Sequence, residues 1–177
     1  MKKQKALFLD RDGIINIDHG YVSKIEDFKF VKGIFELLHL FIKKEYLLFI
    51  ITNQSGIGRG YYTLNDFDTL TQWMLKCFDS KDINIQKVSY CPHSPEDNCH
   101  CRKPQTGMID DILKQYSIDL STSWLIGDKQ SDIDLSRNAK IQHNIAIGSH
   151  DIVNASYQFT SISDCHTFLK KNQDRLL

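Results

Sequence analysis

The chain is 177 residues long, and its 22 basic side chains are balanced by 22 acidic ones, so the formal net charge is zero. That length predicts one domain with a substantial core, and neutrality leaves no strong field to draw in nucleic acid or an anionic membrane surface. No apolar run approaches the roughly 20 residues of a membrane span, and the basic opening Met1–Lys5 precedes too short an apolar stretch for a secretory signal.

Ala6-Leu7-Phe8-Leu9 is a short apolar run bounded by charge and reads as a buried strand. Asp10-Arg11-Asp12-Gly13 follows it. If the strand continued, Asp10 and Asp12 would point the same way from its carboxyl end, where ligands bind in open α/β sheets. Two crowded carboxylates repel unless a cation intervenes, which predicts bound Mg²⁺; a plain polar turn is the alternative. Ile17 to Val22 is a turn-rich connection that starts close to the carboxylates in sequence.

Ile34, Leu37, Leu38, Phe41 and Ile42 form a helical stripe within Gly33 to Lys44. Tyr46 to Ile51 is a second apolar strand, ending in Thr52-Asn53-Gln54-Ser55-Gly56-Ile57-Gly58-Arg59-Gly60. A hydroxyl, an amide and three close glycines at a strand end suit phosphate oxygens approached by backbone. The Gly-Lys-Ser/Thr ending of a Walker loop is missing, and a flexible loop without a ligand is the other reading. Thr63 is placed to cap a helix over Leu64 to Phe78, and Ile83 to Tyr90 reads as a third strand.

Cys91, His93, Cys99 and Cys101 follow, with five residues between His93 and Cys99. Three thiolates and an imidazole make a closed tetrahedral zinc set, structural rather than catalytic. The intervening segment has no apolar residues to bury, so a metal would replace a core there. The odd total of five cysteines fits metal binding and a reducing cytoplasm better than disulfides. His100 is expected to point outward. Arg102 and Lys103, held between this knot and Pro104, suit an anionic substrate.

A helix over Thr106 to Tyr116 comes next, then a fourth strand at Ser123 to Ile126 that runs into Gly127-Asp128-Lys129-Gln130-Ser131-Asp132. Asp128 is placed to complete the Mg²⁺ site, with Asp132 either orienting it or purely structural. Ile141 to Ile147 is a fifth strand, Tyr157 to Thr160 a short sixth, and Ser163 to Lys170 a closing helix. Alternating strands and helices predict an α/β fold with a mostly parallel, doubly wound sheet covered on both faces.

Together the four strand ends resemble the haloacid-dehalogenase-like phosphohydrolases, whose successive motifs match Asp10 with Asp12, Thr52, Lys103, and Asp128, with Asp132 as a second acidic candidate. Within that superfamily, Asp-Arg-Asp-Gly, Asp18-His19-Gly20-Tyr21, Thr-Asn-Gln-Ser-Gly, Cys-Pro-His, Cys-x-Cys-Arg-Lys-Pro and Gly-Asp-Lys look like the D-glycero-D-manno-heptose 1,7-bisphosphate 7-phosphatases. The resemblance implies a single capless, Rossmann-like domain over residues 1–177, with a zinc loop at 91–101 held by Cys91, His93, Cys99 and Cys101. It implies a cytoplasmic, monomeric enzyme that acts on a phosphorylated sugar of lipopolysaccharide or nucleotide-activated heptose biosynthesis, with neither nucleic-acid nor membrane partners. Asp10, Asp12, Thr52 and Lys103 would be catalytic, and Asp10, Asp12 (through its carbonyl) and Asp128 would hold Mg²⁺. Arg11, Asp18, His19, Gly20, Tyr21, Asn53, Gln54, Ser55, Arg102 and Lys129 would contact substrate. The short zinc loop looks more like the related histidinol-phosphate phosphatases, which stand as the alternative. A non-catalytic, zinc-stapled phosphosugar-binding module is more remote, since binding alone needs no nucleophile.

Overall fold

The computed structural model describes residues 3–176. Six strands, β1 (Ala6–Leu9), β2 (Leu47–Asn53), β3 (Ile85–Cys91), β4 (Trp124–Gly127), β5 (His143–Ile147) and β6 (Tyr157–Phe159), form one sheet in the order β3-β2-β1-β4-β5-β6. Every neighbouring pair is parallel. Phe8 is the register point at the centre, opposite Phe49 on one side and Leu125 on the other.

The two-residue period of β1 divides the core. Leu7 and Leu9 face one side, with Leu48, Ile50, Trp124 and Ile126, against α1 (Ile34–Lys43), α3 (Leu64–Asp79) and α6 (Ile162–Lys171). Ala6 and Phe8 face the other, against Met108, Ile109 and Ile112 of α4 (Gly107–Leu113) and Leu135 of α5 (Gln130–Asn138). Buried on both faces, these strands read as unbroken apolar runs, as parallel sheets require. No helix among the described residues is long and apolar enough to cross a membrane.

The expected elements all form, with shifted ends. Thr63 caps α3 in a capping box: its hydroxyl accepts from Asp66 N–H, and the Asp66 carboxylate accepts from Thr63 N–H at 2.8 Å. Strand β2 runs on to Asn53 because the ladder with β3 continues to the Asn53–Cys91 pair. The glycine-rich stretch after it is not a loop throughout: Ser55–Gly58 closes one helical turn, α2. Ile25–Asp27 forms a 3-10 turn that no periodicity announced.

Candidate active site

The chain leaves β1 for β2 and β3 on one side, then returns to β4 on the other. The reversal puts the carboxyl ends of β1 and β4 side by side, the usual place for a ligand crevice in this architecture. Asp10 N–H donates to the Ile126 carbonyl at 3.0 Å, so the first residue past β1 is fastened to β4.

The Asp10 carboxylate accepts from the Arg11 N–H at 2.7 Å and from Lys103 Nζ at 2.9 Å. Lys103 also donates to Asp132 at 2.6 Å and to the Ile51 carbonyl at 3.1 Å, so its three ammonium protons have three partners. Asp132, fully buried, accepts the Lys129 N–H through its second oxygen. Burial would push the Lys103 pKa down, but Asp10 and Asp132 outweigh it and hold the ammonium charged. Burial raises Asp10 to about 7, against the pull of Lys103 and with the push of Asp132, Asp128 and Asp12. Asp128 is raised to about 6, again chiefly by burial, with Lys129 lowering it and Asp132 raising it.

Asp12 departs from the expected arrangement. Strand β1 stops at Leu9, and the chain turns at Gly13, whose φ is +88°. The Asp12 carboxylate is therefore held by other partners and does not group with Asp10. It accepts from Arg11 Nη2 at 2.8 and 3.0 Å, from Asn16 Nδ2 at 3.0 Å and from Gln54 Nε2 at 3.0 Å. The carboxylates able to share a cation are Asp10, Asp128 and Asp132, whose oxygens lie within 4.8 Å of one another; the Asp12 carboxylate is not among them. Asp128 carries the clearest sign that a cation fits. Its Oδ1 is buried with no hydrogen-bond partner, and a Cβ at Gly13 would run into its carboxylate. Asp132 is already engaged on both oxygens, so Asp10 and Asp128 are the free donors.

A cleft of about 250 Å³ opens over this cluster. Asp10, Asp12 and Lys103 line its floor, with Asn53 and Ser55 from the end of β2. Asn53 clamps the lysine's backbone, accepting from Lys103 N–H at 3.0 Å and donating to its carbonyl at 3.4 Å. Asp18, Gly20 and Tyr21 come in from the loop after β1, and Lys129 from the end of β4. Asp18 and Lys129 pair at 3.3 Å. Burial raises the Asp18 carboxyl, but the Gly20 N–H and Lys129 outweigh it and hold it below the usual range. Arg102 enters beside the cysteine cluster, its guanidinium donating to the His93 carbonyl at 3.3 Å.

Of the residues expected to act on substrate, three are not brought to the cleft surface. Arg11 is fully buried, its Nη2 donating to Asp12 and, at 2.7 Å, to the Val22 carbonyl. His19 lies outside, on a separate groove with Glu26 and Lys29. Thr52 is buried beneath the floor, its hydroxyl accepting from Gln54 Nε2 at 2.8 Å. Tyr62 and Ser131 line the cleft without having been singled out. Ser131 lay in plain view between Asp128 and Asp132, whereas Tyr62 carried no signal, being an aromatic just before a helix cap.

The four zinc-type donors converge as their spacing predicts. Cys101 Sγ lies 2.9 Å from Cys91 Sγ and 3.2 Å from His93 Nδ1, and Cys91 and Cys99 are 3.4 Å apart. Three sulfurs this close cannot all carry negative charge without a cation between them, and burial with its sulfur neighbours pushes the Cys91 thiol far up. His100 turns outward, 76% exposed, toward Asp110. The loop is joined to α2: Gly58 N–H donates to the Pro92 carbonyl at 2.9 Å and Gln54 N–H to the Cys91 carbonyl at 2.7 Å.

Comparison with known proteins matches this geometry to named relatives. Residues 7–165 match the family described as polynucleotide kinase 3 phosphatase. The D-glycero-beta-D-manno-heptose-1,7-bisphosphate 7-phosphatase of Helicobacter pylori (strain ATCC 700392 / 26695) is 52% identical over 148 residues, covering 83% of this chain and 86% of that one. The D-glycero-alpha-D-manno-heptose-1,7-bisphosphate 7-phosphatase of Campylobacter jejuni is 46% identical over 170 residues, covering 96% and 98%. In fold, the chain is similar to the crystal structure of a D,D-heptose 1,7-bisphosphate phosphatase from B. bronchiseptica, complexed with magnesium and phosphate. The TM-score is 0.84 at 22% identity, over 95% of this chain and 99% of that one. By its identity to these relatives over most of its length, the chain belongs to the D-glycero-D-manno-heptose 1,7-bisphosphate 7-phosphatase family.

Proposed function

We propose that this chain is a magnesium-dependent phosphatase that removes the 7-phosphate of D-glycero-D-manno-heptose 1,7-bisphosphate through an aspartyl-phosphate on Asp10. One observation carries the chemistry: a buried carboxylate at the end of β1, 2.9 Å from Lys103, beside an Asp128 oxygen with no protein partner. The names of the H. pylori and C. jejuni relatives carry the substrate.

An Asp10 oxygen attacks phosphorus, the bond from phosphorus to the sugar oxygen breaks, and Asp12 gives that oxygen its proton. Water then attacks the aspartyl-phosphate while Asp12 takes back a proton, releasing phosphate and restoring Asp10. Lys103, bonded to Asp10, places its positive charge beside the transferring phosphoryl group. Thr52, beneath the floor, accepts from Gln54 and closes the phosphate site from below. A divalent cation held by Asp10, Asp128 and the Asp12 carbonyl would offset charge between nucleophile and phosphate. Zinc on Cys91, His93, Cys99 and Cys101 would fix the loop that carries Arg102 and Lys103. Arg102 takes the anomeric phosphate, and Asp18, Gly20, Tyr21, Asn53, Ser55 and Lys129 shape the sugar site. Arg11 serves through Asp12, and His19 has no assigned contact. On this reading residues 1–177 form one capless domain acting as a monomer in the cytoplasm, where thiolate ligands stay reduced, and its product feeds nucleotide-activated heptose and lipopolysaccharide.

The test is kcat/KM with Mg²⁺ on both anomers of the heptose bisphosphate and on histidinol phosphate. The expected preference for a heptose bisphosphate is about 100-fold or more, roughly 2.7 kcal/mol of transition-state discrimination. Both anomers are needed because relatives named for each align with this chain. A preference for histidinol phosphate would overturn the substrate assignment.

A further inference from the structure

The hydrogen-bond network behind Asp12 involves two residues that no step above uses. Gln54 is 2% exposed, and its side-chain polar atoms are committed to protein. Its Nε2 donates to Asp12 Oδ2 at 3.0 Å and to Thr52 Oγ1 at 2.8 Å, which takes both amide protons. Its Oε1 accepts from the Tyr62 hydroxyl at 2.5 Å. The backbone is fixed as well, since Gln54 N–H donates to the Cys91 carbonyl. Gln54 thus has no donor left for a sugar hydroxyl, although the sequence places it among substrate contacts.

The direction of each bond follows from the chemistry. Both Asp12 oxygens accept from N–H donors, Oδ1 and Oδ2 from Arg11 and Oδ1 also from Asn16, so the carboxyl group takes the NH₂ end of the amide, and the carbonyl end must then find a donor. Tyr62 supplies it. The phenol is 8% exposed, and burial holds its pKa up at about 12, so it keeps its proton at any working pH. Space is reserved for the ring: a Cβ at Gly56 would strike Tyr62, so this turn of α2 admits the tyrosine only because glycine stands there.

We propose that Gln54 and Tyr62 are positioning residues for the acid–base group. Tyr62 fixes which way the Gln54 amide faces, and Gln54 holds the Asp12 carboxylate in the plane from which it serves the leaving oxygen. Arg11 holds both oxygens of the same carboxylate, and Asn16 holds Oδ1. The inference rests on the acid–base role proposed for Asp12.

The experiment compares two leaving groups. The sugar alkoxide needs a proton as it departs, whereas the phenolate of p-nitrophenyl phosphate does not. For Tyr62→Phe and Gln54→Leu, kcat/KM on the heptose bisphosphate should fall by about 10- to 100-fold, within what general acid catalysis supplies. That loss should exceed the loss on the aryl phosphate by roughly tenfold or more, and the double variant should lose little more than the worse single one, as members of one chain do. Equal losses on the two substrates, or none on the sugar, overturn the positioning role. Asp12→Asn is the control. If it too loses both substrates equally, the acid–base reading of Asp12 has failed. If it is selective and the other two are not, only the positioning inference has failed. Tyr62→Phe removes a single oxygen, so the test survives if Gln54→Leu does not fold.

Discussion

Lys103 and Asp132 meet at 2.6 Å in the interior, with Asp10 2.9 Å from the same ammonium. One buried cation therefore stabilises two buried carboxylates, and removing it leaves both uncompensated. Lys103→Met should destabilise the protein by about 3–5 kcal/mol, the range for breaking a buried ion pair from one side. It should also abolish turnover. Urea unfolding in a chelating buffer measures the first effect. Adding Asp132→Asn to Lys103→Met should recover part of the stability but none of the activity.

Asp10→Asn should leave essentially no turnover, because an amide cannot form the acyl phosphate. The fold should persist, since the substitution keeps the shape and removes a carboxyl that burial disfavours as an anion. Hydrolysis near the wild-type rate, with circular dichroism unchanged, would sink the covalent scheme.

Gly13 sits at φ +88° with the Asp128 carboxylate where a side chain would go. Gly13→Ala therefore meets backbone strain and a clash together, at a cost of about 1–3 kcal/mol. The clash pushes Asp128 away from Asp10, so affinity for Mg²⁺ should fall more than the melting temperature alone suggests. Calorimetric Mg²⁺ titration of the folded variant checks this, and unchanged affinity would remove Asp128 from the cation site.

Cys99→Ser should lose zinc and loosen residues 91–101. Because Gly58 and Gln54 donate to carbonyls of that loop, the damage should reach α2 and the cleft. Elemental analysis gives zinc per chain, and limited proteolysis should cut within the loop in the variant but not in the wild type. Stoichiometric zinc in Cys99→Ser would show that the ligand set is wrong.

His143 stacks on Trp124 with ring centroids 4.6 Å apart, and burial lowers its pKa below 6.5. The folded protein then binds this proton less readily than the unfolded chain. Its contribution to stability is present above the unfolded value of about 6.5 and is lost as pH falls through the lower folded value. His143→Gln should flatten the melting temperature across pH 5–7. An unchanged slope would place the pH dependence elsewhere.

The strands were legible because a sheet buried on both faces writes them as short apolar runs, and the metal-type knot because its ligands are close in sequence. The long-range pairings were not. Arg11 looked like a substrate contact, yet the Val22 carbonyl and Asp12 draw it inward. Asp12 looked like a partner for Asp10, but its carboxylate is held by other partners. The roles of Gln54 and Tyr62 depend on a bend through α2 that puts residues eight apart into one bond, and on a glycine that makes room. Asp132 could not be resolved from sequence, because its partner Lys103 is 29 positions away on a different connection.

The pairing of β1 with β4 also bears on how the protein is made. The Ala6 N–H finds its acceptor in Ser123 Oγ, 117 positions later, and Asp10 meets Asp128 across the same seam. A ribosome that has released β1 to β3 and the cysteine loop has released Asp10, Asp12 and Lys103, but neither Asp128 nor Asp132. Asp10 waits for the last third of the chain. The carboxylate cluster of Asp10, Asp128 and Asp132 therefore assembles only once β4 has docked beside β1.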